Sequence, residues 1–96
     1  MTVLWIANVH VTDPERYGEY AKRATGAIAA HGGVFLARGG AHRQMEGRDR
    51  ARNVVVRFPD MAAAEACYAS AAYREALGFA EGAAERDLVI VEEVGA

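Results

Sequence analysis

Apolar and polar residues alternate in two stretches of this chain. From Val3 to Val11 the odd positions, Val3, Trp5, Ala7, Val9 and Val11, are all apolar, while the even positions pass from Leu4 and Ile6 to Asn8 and His10. From Asn53 to Phe58, Val54, Val56 and Phe58 alternate with Asn53, Val55 and Arg57. A period of two belongs to a strand with one buried face, so each stretch predicts a strand. Each is followed by a junction of proline and an acid and then by helical spacing that carries tyrosine: Asp13-Pro14 leads to Tyr17 and Tyr20, and Pro59-Asp60 leads to Tyr68.

The first helix has two open starts. Asp13 can cap it with Pro14 at the first helical position, or Thr12 and Glu15 can form a capping box one residue earlier. Tyr17, Tyr20 or Ala21, Ala24, Ile28 and His31 then recur at helical spacing, and His31-Gly32-Gly33 supplies a stop. Val34 to Arg38 predicts a second strand. The Gly39-Gly40 break predicts a bulge or close backbone approach before that strand resumes, with Glu46 to Arg50 as the hairpin turn. Asp60 caps a helix from Met61 to about Ala69, Ser70 caps a short third helix through Tyr73 and Leu77, and Leu88 to Val94 closes the sheet. Two strand-helix units, each needing a following strand to pack back onto, describe an α+β chain: a ferredoxin-like βαββαβ fold with a four-stranded antiparallel sheet in order 4-1-3-2. The 96 residues form a single domain, 1–96.

In that order the first and third strands are central neighbours, so Asn8, His10, Asn53 and Arg57 share the sheet face that no helix covers. Leu4, Ile6, Val55 and Leu36 share it too, which would leave a large apolar patch in water. Composition sharpens the point. Hydrophobic residues make up 52% of the chain, but 21 of its positions are alanine. Burying a leucine or phenylalanine side chain is worth about 1.5 to 3 kcal/mol and an alanine methyl far less, so a thin core gains by burying a sheet face against a partner. A homodimer through the sheet face is expected.

A net charge of -2 and a pI near 5.9 lack the dominant basic surface of a protein that binds nucleic acid or an anionic membrane. One cysteine, Cys67, forms no internal disulfide, the chain begins directly with strand pattern, and no run approaches the roughly 20 apolar residues of a membrane span. A cytoplasmic protein is expected, with no nucleic acid and no membrane among its partners.

Several segments, in order and spacing across the whole chain, resemble a known family. They are Asp13-Pro14-Glu15-Arg16-Tyr17 with Tyr20, the run Gly32 to Gly40, Glu46-Gly47, Val54-Val55-Val56 leading to Phe58-Pro59, Ala66 to Ser70 with Tyr73, and Asp87 to Glu92. The pattern is similar to that of the small bacterial domain-of-unknown-function family thirteen-thirty. The resemblance implies a dimeric α/β-barrel, two ferredoxin-like subunits packed sheet to sheet. It also implies membership of a superfamily that includes cofactor-free monooxygenases, isomerases and stress-related proteins. It carries no established activity. The chain departs from the family's common pattern at Arg57, where an acid often precedes the Phe-Pro pair, and at Ala71, where proline often follows the serine.

The candidate ligand-binding residues are Asn8, His10, Arg38 and Asn53. Histidine changes charge near neutral pH, which makes His10 the weak candidate for a general acid or base, with Asn8 and Asn53 beside it to orient a carbonyl or hydroxyl. A histidine at a strand end also serves as a plain interface residue. Six of the eleven basic residues, Arg38, Arg43, Arg48, Arg50, Arg52 and Arg57, fall between positions 38 and 57. The arginine fork suits a carboxylate or phosphate, and Arg38 beside Gly39-Gly40 is the best placed; the competing reading is a solvated hairpin whose arginines pair with acids of a partner subunit. Tyr17, Tyr20, Tyr68 and Tyr73 line either a pocket or the core, whereas Trp5 and Cys67 read as packing. The histidines lack metal-ligand spacing and the diglycines lack a nucleotide-phosphate loop, so no metal and no cofactor are expected. Two functions remain open. One is a homodimeric small-molecule-binding protein, including a cofactor-independent enzyme acting on a small organic or acidic metabolite; the other is a non-catalytic structural or regulatory dimer of stress-response or sensor type.

Overall fold

The first alternating stretch is β1, Val3–Val11, and it lies inside a four-stranded antiparallel sheet of order β2-β3-β1-β4. The computed structural model describes residues 1–95. After β1 come α1 (Pro14–Ala30), β2 (Val34–Arg38), β3 (Arg52–Phe58), α2 (Met61–Ala69), α3 (Ala71–Ala80) and β4 (Ala84–Glu92). This is the ferredoxin-like βαββαβ arrangement, with the sheet order 4-1-3-2 read from the opposite edge.

The helix starts follow from capping side chains. Asp13 accepts from the Arg16 amide, so of the two possible starts the aspartate is the one used, and Pro14 stands where no intrahelical donor is needed. Asp60 accepts from the Ala63 amide and Ser70 from the Tyr73 amide in the same way. α1 ends at His31, and Gly32, with φ of +81°, takes the left-handed conformation that turns the chain into β2.

Register sets the two faces. Trp5 stands opposite Val56 and Ile90, whereas Ile6 stands opposite Val55 and Val89. The helix-covered face therefore takes odd positions from β1 and even positions from β3 and β4. Its core is Val3, Trp5, Ala7, Val9, Val54, Val56 and Phe58, closed from above by Tyr17, Tyr20, Ile28, Cys67, Tyr73 and small alanines of the three helices. The open face carries Leu4, Ile6, Asn8 and His10 with their neighbours on β3 and β4.

Three boundaries differ from the sequence reading. β2 does not resume after Gly39-Gly40; residues 39–51 are an irregular connection, and the bulge lies inside β2, where the register slips between Phe35 and Ala37. Gly39, with φ of +68°, turns the chain away while its amide still donates to the Asn53 carbonyl at 2.9 Å. β3 begins one residue earlier, at Arg52. β4 begins at Ala84 rather than Leu88 and ends at Glu92, because Ala84 to Asp87 pair with the polar end of β1, from Val11 back to Asn8. Residues at alternate positions of a strand can be polar on both faces when each side offers a partner.

Candidate functional site

Arginines that reach the helix-covered face define the candidate site. A small cavity of about 30 Å³ lies between α1 and the sheet, with Trp5, Tyr17, Tyr20, Ile28 and Phe35 among its apolar walls and Arg38, Arg52 and Arg86 among its polar lining. Arg52 and Arg86 arrive by parity: Arg52 continues the Val54, Val56, Phe58 face, and Arg86 continues the Leu88, Ile90 face. Arg38 arrives by the bulge. Regular alternation from Phe35 would put Arg38 on the open face beside Leu36; the slip places Ala37 opposite Val55 and turns Arg38 opposite Val54, onto the helix side.

Each of these guanidinium groups lies over an aromatic ring: Arg38 over Phe35 at 4.3 Å, Arg52 over Tyr17 at 5.9 Å and Arg86 over Tyr20 at 4.6 Å. Arg38 donates to the Thr25 hydroxyl. Arg86 donates to the Tyr20 and Tyr73 hydroxyls, at 2.8 and 3.2 Å, and these two hydroxyls share a 2.7 Å bond. Burial pushes both phenols above their ordinary value, so near neutral pH they are uncharged. Among the described residues none of the three arginines has a carboxylate partner, and the Nε atoms of Arg52 and Arg86 are buried without a hydrogen bond. Gly39 holds part of this arrangement open: a Cβ there would lie 2.9 Å from Arg52 Nη1.

The remaining candidates lie on the other side of the sheet. Asn8 donates to Asn53 Oδ1 at 2.8 Å, and Asn53 donates to the Arg50 carbonyl at 3.3 Å. Gln44, Arg48, Arg50 and Asp87 complete an open recess of about 220 Å³ around them. His10 is exposed, opposite Glu85, with no hydrogen bond to another described side chain. Asn8, His10 and Asn53 thus share the uncovered face, but Arg38 does not join them; the β2 bulge separates it from the set by the thickness of the sheet.

The arginine cluster divides along the same line. Arg48 pairs with Glu85 at 2.9 Å, Arg50 with Asp87, and Arg57 takes Glu93 with two donors, at 2.6 and 3.2 Å. The acids come from this chain's own β4 and the residue after it, not from a partner subunit. Tyr17, Tyr20 and Trp5, the last 2% exposed, are at once core and cavity wall, and Tyr73 is core, tied to the site through its bonds with Tyr20 and Arg86. Cys67 is buried against the Ala27 carbonyl, its thiol pushed up to about 11 by burial.

Arg86 is the residue the sequence reading passed over, and Arg52 entered it only as a member of the arginine cluster, without its face. Extending each strand's parity backward, by one residue at β3 and by two at β4, would have found them. No group of three or more histidine, cysteine, aspartate or glutamate side chains among the described residues is placed to hold a metal ion, and no helix is long and apolar enough to cross a membrane.

Solved structures share this architecture at low identity. A protein of unknown function from Rhodopseudomonas palustris superposes with a TM-score of 0.80 at 16% identity, over 99% of this chain and 84% of its own. A dimeric ferredoxin-like protein of unknown function from Jannaschia sp. CCS1 gives 0.74 at 14% identity, over 97% and 100%. SnoaB, a cofactor-independent oxygenase from Streptomyces nogalater, gives 0.71 at 12% identity, over 99% and 95%. These identities establish a shared fold. Comparison with curated proteins finds no match. The sequence model of the family described as domain of unknown function (DUF1330) matches residues 2–94, and the chain belongs to that family.

Proposed function

We propose that this protein is a homodimer that binds a small organic molecule between α1 and the helix-covered face of the sheet. The observation that carries the reading is the aromatic-walled cavity lined by two arginines whose Nε donors are buried without partners. Buried polar groups in folded proteins are nearly always satisfied, so an unsatisfied pair at a cavity marks a place prepared for something else to bind. The homodimer is supported by the open face, where Val34, Leu36, Val89 and Val91 are 45 to 59% exposed, and by the similar Jannaschia protein, which is described as dimeric. In this arrangement Asn8, His10 and Asn53 belong to the dimer face and Arg38 to the ligand site. The fold shared with a cofactor-independent oxygenase makes turnover without a cofactor worth testing here.

A screen of small organic molecules by thermal shift, followed by mass spectrometry of each stabilising compound after incubation, tests this. Stabilisation with conversion supports an enzyme and stabilisation alone supports a binder or sensor. No stabilisation by any compound, from a chain that sediments as a monomer, overturns the proposal. A non-catalytic dimer is the second reading. It is favoured by the engagement of the nucleophile-type side chains: Cys67 is packed against Ala27, and the Ser70 hydroxyl is held by the Cys67 carbonyl and the Tyr73 amide.

A further inference from the structure

We infer that the ligand of the helix-side cavity is an organic monocarboxylate, its carboxylate received by Arg52 and Arg86 and its apolar body laid against the aromatic wall, with Arg38 at the rim. The inference rests on the proposed ligand site and adds the chemical class. Cations in a protein interior are ordinarily paired with acids, because an uncompensated buried charge is strongly disfavoured. The cavity's lining holds three guanidinium groups and no carboxylate, whereas Arg48, Arg50 and Arg57 on the open side all meet acids of the same chain. The missing negative charge is what a ligand would bring.

The contacts already made leave the needed donors available. A guanidinium over a ring uses its face, so its N–H edges stay available to an acceptor in the plane. Arg86 has committed one terminal nitrogen to the two tyrosine hydroxyls, and its Nε has no partner; Arg52 Nε has none either. Nε together with Nη2 is an edge on which an arginine binds a carboxylate with two parallel hydrogen bonds, as Arg57 does with Glu93; on Arg52 neither atom has a hydrogen bond to a described residue, whereas Arg86, whose Nη2 serves the tyrosines, offers its Nε. One of the Tyr20 and Tyr73 hydroxyls donates to the other, which leaves a single hydroxyl proton for an acceptor.

The lining selects carboxylate over phosphate. The lining is made of side chains, largely aromatic and aliphatic, rather than of the successive backbone amides on which phosphates usually rest. Walls of this kind favour a flat apolar body attached to a single charge.

The test uses the full-length protein with sodium benzoate, the neutral isostere benzamide and inorganic phosphate, followed by titration calorimetry and by NMR of the arginine Nε–H groups. Benzoate should bind saturably, move the Arg52 and Arg86 Nε–H signals downfield, and bind roughly tenfold or more tightly than benzamide. Arg52→Lys, which keeps the charge and removes the fork, and Arg86→Met should each weaken benzoate roughly tenfold or more. Arg48→Met on the open face should leave binding unchanged. Equal binding of benzamide and benzoate would overturn the carboxylate while keeping the ligand site. Phosphate in place of benzoate would overturn the class. Failure of benzoate to move either Nε–H signal would overturn the assignment even where the wider screen finds a neutral ligand, and because that measurement is made on the unsubstituted protein, no variant's folding can obscure it.

Discussion

The two faces of this sheet use the same residue type to opposite ends. On the open face Arg48, Arg50 and Arg57 meet Glu85, Asp87 and Glu93, so charge is neutralised within the chain while the apolar residues stand uncovered. On the helix-covered face the apolar residues are packed, and Arg38, Arg52 and Arg86 rest on aromatic rings without an acid. One face is complete in charge and incomplete in burial; the other is the reverse. On the proposed reading the first deficit is met by apolar surface, a second copy of the chain, and the second by negative charge, a ligand.

The largest effect is expected where the covered face is most tightly packed. Trp5 stacks near Phe58, Tyr68 and Tyr73, with ring centroids 5.2 to 5.9 Å away. Trp5→Ala should destabilise by about 3 to 5 kcal/mol, measured by urea denaturation, and should abolish any ligand effect along with the cavity wall. Val89→Arg, in the middle of the open apolar patch, should by contrast leave the helix-covered core intact and convert a dimer to a monomer in sedimentation equilibrium. A monomer before the substitution, or a dimer after it, would remove the open face from the interface.

Arg86→Met gives a change of opposite sign for stability and binding. Replacing a poorly compensated interior charge by an apolar side chain of similar length is often neutral or stabilising, and the Tyr20 and Tyr73 hydroxyls still satisfy each other. The unliganded variant should therefore melt no lower than the parent, while its response to benzoate is lost. A clear fall in the melting temperature would mean that Arg86 acts as a structural tie between β4 and the two tyrosines.

Much of this division was legible in the alternation of two strands. The odd residues of β1 and the even residues of β3 do line the core, and Asn8, His10, Asn53 and Arg57 do share the uncovered face. The place of Arg38 was not legible. Val34, Phe35, Leu36 and Ala37 are all apolar, so no alternation records that the register slips among them, and only pairing with β3 shows it. Arg86 was hidden for another reason: it is an inward charge between Glu85 and Asp87, and it is held there by tyrosines 66 and 13 residues away that no local pattern connects to it.

Gly39→Ala probes how closely the chain must pass Arg52. The residue has φ of +68°, and the new Cβ would lie 2.9 Å from the guanidinium. A non-glycine residue in that region costs about 1 kcal/mol or more, and Arg52 would also have to shift. A modest fall in melting temperature with a larger loss of benzoate affinity is expected; an unchanged affinity would show that Arg52 reaches the ligand by another path.

The smallest effect should come from the most visible ion pair. Arg48 and Glu85 are 59% and 53% exposed as side chains, so water and salt screen their attraction, and holding two long side chains together offsets most of what remains. Arg48→Ala should change stability by about 0 to 0.5 kcal/mol. Arg50 is different: its side chain is only 13% exposed and it donates to the Asn8 carbonyl as well as to Asp87, so Arg50→Ala should fall nearer about 1 kcal/mol and loosen the connection between β2 and β3. Chemical denaturation of the two variants at low and high salt separates these terms. Arg48→Ala should approach the parent as salt rises, whereas the loss in Arg50→Ala should persist, because the carbonyl bond is less subject to screening. Equal losses at both sites would mean that the open-face arginines act as one network and that its charges are coupled through the recess around Asn8 and Asn53.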